Sequence, residues 1–187
     1  MTVEERLEQM ERELRYLRDR QEILDCIARN ARGCDRHDTE LLASSYHVDG
    51  FDEHGVAVNA GPKYPEWANA AHNAMSQQSL HNITTHTCEI DGDVAHAESY
   101  SVGLFLDPDG KTARVLAGRY ADRLERRDGA WRIALRRTTV DVLLVGDAAF
   151  LTSEDFAKFG YLKGVRDKRD VTYQRPLRVE ESSSVRW

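Results

Sequence analysis

Seven histidines are scattered along this 187-residue chain, and each carries a ring that titrates near pH 6.5 and can take up or return a proton under neutral conditions. None falls in an H-x-H, H-E-x-x-H or facial-triad spacing, so the pattern points to no metal site. A glycine-rich phosphate loop and a dinucleotide fingerprint are also missing, which leaves chemistry without a cofactor as the natural expectation. Cys26, Cys34 and Cys88 form an odd set with no C-x-x-C spacing, as expected of ordinary thiols. Acid–base work therefore falls to imidazoles and carboxylates. His81 stands early in a strand-like stretch and Asp35 at the end of a helical one; by spacing alone, Asp35 could equally belong to the Arg36-His37-Asp38 turn.

The elements that must carry these groups are legible in the periodicity. Leu7, Met10, Leu14, Leu17 and Leu24 form a 3-4-3 apolar stripe, interrupted by Gln21, among Glu, Arg, Gln and Asp. This is a long amphipathic helix whose first turns should lie against a partner subunit or its own domain. From Glu22 the stripe shifts to Ile23, Leu24, Ile27 and Ala31, so the helix should enter the body there and stop near Gly33. Asp38-Thr39-Glu40 opens a short second helix to about His47, turns at Asp49-Gly50 and His54-Gly55 flank a weak strand, and Pro65 opens a third helix to roughly Met75. Strand-like stretches follow at Leu80 to Ile90, Val94 to Leu106, Thr112 to Arg126 and Trp131 to Val145, with Asp91-Gly92, Pro108-Asp109-Gly110 and Asp128-Gly129 between them. Helices followed by hairpin-connected strands give an α+β chain, with three N-terminal helices packed on a strongly curved antiparallel sheet and a cavity between the layers.

Composition bounds the rest. Hydrophobic residues at 41% and charged residues at 31% describe an ordinary globular chain, and no composition shift divides it. The boundaries expected are an amphipathic helix extension at 1–21, the α+β domain at 22–147 and a C-terminal extension at 148–187. That extension begins with a helix start at Thr152-Ser153-Glu154-Asp155 and then carries Tyr161, Tyr173 and Pro176; it could close a pocket or reach a neighbouring subunit. A net charge of −6 argues against a nucleic-acid partner, and Arg126, Arg127, Arg132, Arg136 and Arg137 read as cover for a solvated sheet face. The N-terminus is too charged for a signal peptide and no apolar run approaches a bilayer span, so no membrane partner and a cytoplasmic location are expected.

Three strings carry a family resemblance: E-I-L-D-C-I-A-R-N-A-R-G-C-D-R-H-D from Glu22 to Asp38, S-L-H-N-I-T-T-H-T-C-E-I-D-G-D-V-A-H-A from Ser79 to Ala97, and A-G-R-Y-A-D-R-L-E-R-R-D-G-A-W-R-I-A from Ala117 to Ala134. Over roughly residues 4 to 145 the chain resembles the SnoaL-like family of the nuclear transport factor two superfamily, which includes scytalone dehydratase, bile-acid dehydratase, polyketide cyclase, ketosteroid isomerase and dehydrochlorinase relatives. The resemblance implies a cone-shaped, cystatin-like α+β barrel around one small-molecule pocket. In its lyase members the Asp ending the first helix pairs with a His early on the first long strand, positions held here by Asp35 and His81. A carboxylate that takes the proton of one ring nitrogen fixes the tautomer, orients the ring and strengthens the other nitrogen as a base. Elimination or isomerisation needs little beyond that base, a dry pocket and a polar group facing the developing oxyanion.

The family comparison also marks departures. Asn30 stands where the bile-acid dehydratases have a Tyr, and Gly103 where they have a further Asp, so the same reaction on the same substrate is not expected. Tyr46 and Tyr64 fall in the region that lines the mouth of the cone and could donate to a substrate oxygen. Ala95, Ala97, Ser99, Ser101 and Gly103 give one strand a face of small residues, fit for a ligand or for a packed helix. Arg119 could orient an anion or pair with Asp122 or Glu125. His86 should face away from His81, five positions earlier on the same strand, and His72 could be exposed or in the pocket. The reading this supports is a cofactor-independent lyase with Asp35 and His81 as catalytic pair and Asn30, Tyr46, Tyr64, Ser101 and Arg119 as substrate-binding candidates. It would eliminate water or another small fragment such as formaldehyde from a hydrophobic oxygenated cyclic or aromatic compound. An isomerase or cyclase of polyketide or steroid type and a non-catalytic binding or assembly module stay open beside it, and a homo-oligomer, dimer or trimer, is expected.

Overall fold

The computed structural model describes residues 1–178 and 185–187; the part of the expected C-terminal extension at 179–184 lies outside the described residues. One helix, α1 (Val3–Arg36), spans both the expected extension and the start of the domain. A capping box closes its start: Thr2 accepts from the Glu5 amide while the Glu5 carboxylate accepts from the Thr2 amide. Residues 1–18 are exposed, and the helix meets the body at Asp19, a turn earlier than expected. Asp19 is buried, takes 2.9 Å hydrogen bonds from Arg126 Nη1 and the Trp131 indole, and so ties the helix to the sheet. Gly33 does not end the helix. A Cβ there would lie 2.8 Å from Leu42, so glycine is needed for close approach of the next helix, and His37 in the left-handed region (φ 48°) provides the C-cap.

Next comes α2 (Thr39–Ala43), N-capped by Asp38 and shorter than the expected helix because Tyr46 and His47 already belong to a strand. β1 (Tyr46–His54) and β2 (Ala57–Ala60) precede α3 (Tyr64–Met75). The four long strands are β3 (Gln78–Asp91), β4 (Val94–Leu106), β5 (Thr112–Arg127) and β6 (Ala130–Asp147). Their turns follow from the sequence: Asp128 and Gly129 both have positive φ, as a tight type I′ hairpin requires. A short helix, α4 (Glu154–Ala157), capped by Ser153, begins the C-terminal segment.

The strands form one six-stranded sheet in the order β2-β1-β6-β5-β4-β3. It is curved and unclosed rather than a full barrel, and it is not wholly antiparallel, because β1 runs parallel to β6. Ile23, Cys26 and Ile27 of α1 and Leu42 of α2 pack against Ala95, Leu124, Trp131 and Ile133 on its inner face. Each fully buried aliphatic contributes about 1.5–3 kcal/mol to this core. The three cysteines are buried free thiols, and burial pushes Cys26 up to about 11 and Cys34 to about 12.

Arg136 overturns the expectation of a solvated arginine face. Its side chain is 1% exposed, bridges both Asp122 oxygens at 2.8 and 2.7 Å, donates to Asn30 Oδ1 at 2.8 Å and lies over the Tyr120 ring. No helix among the described residues is long and apolar enough to cross a membrane.

Candidate active site

Asp35 lies in the last turn of α1 with both carboxylate oxygens engaged by one residue of β3. The His81 amide donates to Oδ2 at 2.8 Å and the ring Nδ1 meets Oδ1 at 2.7 Å. This two-point clamp sets the start of the strand and the plane of the ring together. With Asp35 as the acceptor, Nδ1 carries the proton and Nε2 is left for a ligand. Phe105 packs edge-on against the ring at 5.5 Å between centroids, and His72 lies at 5.3 Å, so rotation is restricted. His72 is buried rather than exposed, and burial, with His81 and Arg166 adding to it, pushes its imidazole down to about 3. It remains neutral beside His81.

His81 opens onto a cavity of about 60 Å³ that it shares with His54, Ser101, Phe105, Tyr120 and Thr138, among others. That is space for about two waters, so a cyclic ligand must displace side chains at the mouth. A Cβ at Gly103 would meet the Phe105 ring at 2.7 Å, so glycine at this position lets the phenyl fold across the inner face. On β4 the small-residue face does point inward, and it serves both purposes considered for it. Ala95 and Ala97 pack in the core, whereas Ser101 and Gly103 line the cavity.

Other candidates are placed differently. Asn30 is buried and committed, donating to Ser45 Oγ at 2.9 Å and accepting from Arg136, so it serves the core rather than a ligand. The Tyr46 hydroxyl donates to Asp52 at 2.6 Å, and Tyr64 packs beside Tyr46 and Trp67. Burial holds both phenols well above their usual range. Arg119 is part-exposed and pairs with Asp141 at 3.1 Å and Glu98 at 3.4 Å, not with Asp122 or Glu125; no contact takes it into the cavity. His86 faces inward like His81, because a β-bulge between Ile83 and His86 inserts a residue and reverses the alternation; its Nδ1 meets Ser99 Oγ at 2.9 Å. His54 was read from the sequence only as part of a turn, yet its ring faces the cavity. The signal was present in the D-E-H spacing of Asp52 and His54, which puts both on one strand face.

The C-terminal segment covers the end of the site behind Asp35. Arg166 donates to Ser76 O at 2.6 Å and Ser76 Oγ at 2.7 Å, which anchors the segment to the end of α3. Asp170 is buried, accepts from the Val165 and Thr172 amides and pairs with Arg36 at 3.2 Å, while Lys168 and Tyr173 reach Asp38.

Known proteins share this arrangement of helices and sheet. A protein of unknown function from Mycobacterium tuberculosis is 31% identical, covering 68% of this chain and 74% of its own, with a TM-score of 0.61. A hexachlorocyclohexane dehydrochlorinase from Novosphingobium barchaimii LL02 is 21% identical over 72% of this chain and 94% of its own (TM-score 0.67), and a putative scytalone dehydratase from Novosphingobium aromaticivorans is 15% identical over 69% and 88% (TM-score 0.63). A protein from Nostoc punctiforme described as having a cystatin-like fold is 19% identical over 66% and 91%, with a TM-score of 0.56. No curated protein matches the chain in sequence. The SnoaL-like domain family matches residues 15–137, which hold both Asp35 and His81, and the chain belongs to that family.

Proposed function

We propose that this protein is a lyase that needs no cofactor, in which His81 Nε2 removes a proton from carbon and Asp35 holds His81 in the required tautomer. The observation that carries this reading is the two-point contact of Asp35 with His81, which leaves one imidazole nitrogen facing a shared cavity. Cavity walls made of Phe105, Leu116, Ala117 and Val140 suit a hydrophobic cyclic or aromatic substrate, and Ser101, Thr138 and Thr139 offer hydroxyls to its oxygen. The dehydrochlorinase and dehydratase names of structurally similar proteins favour elimination over cyclisation.

The test is turnover of paired cyclic alcohols and chlorides by the wild-type chain and by His81→Gln, followed through the absorbance of the new double bond. The expected result is wild-type turnover that falls about 10²–10⁴-fold in the variant. Saturable binding with no turnover of any compound would make the protein a ligand-binding module instead.

We also infer a homo-oligomer. Leu7, Met10, Leu14 and Leu17 on α1, and Val142, Leu143, Leu144 and Val145 on β6, leave two apolar strips exposed on a single chain, and a second copy is the partner that would cover them.

A further inference from the structure

We propose that His54, held by Asp52, is a second proton-transfer group of the same cavity, donating to the leaving oxygen while His81 takes the proton from carbon. This deepens the lyase reading and rests on it. Removing a carbon-bound proton is only half of a dehydration. Hydroxide is a poor leaving group, so the C–O bond breaks faster when an acidic group stands at the departing oxygen.

The topology supplies an opposite wall. His81 is on β3 at one edge of the sheet, whereas His54 ends β1, beyond β4, β5 and β6. Curvature of the sheet brings both rings to one cavity. The parallel pairing of β1 with β6 sets His54 beside Thr138, whose partner on β5 is the cavity residue Tyr120.

His54 is mounted much as His81 is. Asp52 is fully buried, and its oxygens meet the Tyr46 hydroxyl at 2.6 Å and His54 Nδ1 at 3.0 Å. A buried carboxylate is costly unless matched by donors, and an imidazole is the partner this one is given. Thr138 Oγ1 lies 3.2 Å from the same nitrogen, and Trp67 and Tyr64 flank the ring at 5.6 and 6.2 Å between centroids. Nδ1 is therefore occupied, and Nε2 has no partner among the described residues. Unlike His81, whose side chain is 10% exposed, that of His54 is 33% exposed, so water can reload it with a proton after each turnover.

The step balances as follows. The step requires a proton on His54 Nε2 and none on His81 Nε2 at the start. His81 Nε2 takes the proton next to the activating group, the freed electron pair forms the C=C bond, the C–O bond breaks, and the His54 Nε2–H proton passes to the departing oxygen to give water. His81 ends protonated and His54 neutral, and exchange with solvent restores both.

The first readout needs no turnover: the 187-residue chain, ¹⁵N-labelled at histidine, is titrated with cyclohexane-1,3-diol, which lacks the activating carbonyl and so is not dehydrated. Shifts at Nε2 of both His54 and His81 are expected. A response from His81 alone overturns the role of His54 and leaves the Asp35–His81 reading standing, a response from His54 alone overturns the latter, and no response from either overturns both. The second readout is formation of cyclohexenone from 3-hydroxycyclohexanone and from 3-chlorocyclohexanone, since chloride departs without a proton. In His54→Gln the alcohol should lose about 10²-fold and the chloride less than about 5-fold, whereas His81→Gln should lose both. Equal effects of His54→Gln on the two compounds would overturn the proposal. His54→Asn, whose amide can still donate to Asp52, must give the same split.

Discussion

At the scale of single residues, Arg136 and Asp35 show how burial turns a charge into a structural commitment. Arg136 sits in the core because Asp122 and Asn30 meet its guanidinium there. Arg136→Ala would strand the Asp122 charge and should cost about 3–5 kcal/mol in urea unfolding, whereas Arg136→Met with Asp122→Leu should recover most of that loss. Asp35 binds both the amide and the ring of His81, so Asp35→Asn should lower kcat about 10–100-fold by releasing the tautomer, with a stability loss of about 1–3 kcal/mol. Turnover and thermal melts of the same preparation separate the two effects. His72 adds a pH dependence. Its folded value, pushed to about 3 by burial, lies below that of the unfolded chain, so the stability it contributes is complete above about pH 6.5 and is lost as pH falls toward 3. Burial also lowers His37 and His86, and they act in the same direction. His72→Gln should flatten the change in melting temperature between pH 7 and 5.5.

At the scale of elements, the C-terminal segment is pinned to α1 and α3, and Phe105 lines the cavity. The Asp170 carboxyl is held below its usual range: burial opposes this, but hydrogen bonds from Thr172 and Val165 and the Arg36 charge outweigh burial. The contribution of Asp170 is therefore present above the ordinary carboxylate range and lost as pH falls through its lowered value. Asp170→Ala should raise hydrogen exchange at Val165 and Thr172 severalfold with little change in β3–β6, and unchanged exchange would show that the segment is held by other contacts. Phe105→Ala removes the ring that lies across Gly103. It should cost about 3 kcal/mol and improve affinity for bulkier cyclic ligands, as read by calorimetry.

At the scale of the whole molecule, α1 explains why a second copy is expected. Its residues 1–18 are exposed in one chain, and a helical arm of that length is marginal in water without packing. The apolar strip on β6 sits on another element of the same chain. Light scattering should give a mass above that of one 21.3 kDa chain, and Leu143→Lys with Leu14→Lys should reduce it toward that value.

The sequence by itself determined the long first helix, α3 and the four long strands in their order, the capped helix starts and the hairpin turns. Those signals are local: alternation, caps and Asp-Gly turns act over a few residues. Only the tertiary structure decided the parallel register of β1 on β6, because it joins residues some eighty positions apart and makes His54 a wall of the cavity. It also decided the inward turn of His86, since one inserted residue in β3 reverses a pattern of period two. The burial of Arg136 was equally out of reach, because an arginine becomes a core residue only when a carboxylate on the neighbouring strand is there to meet it.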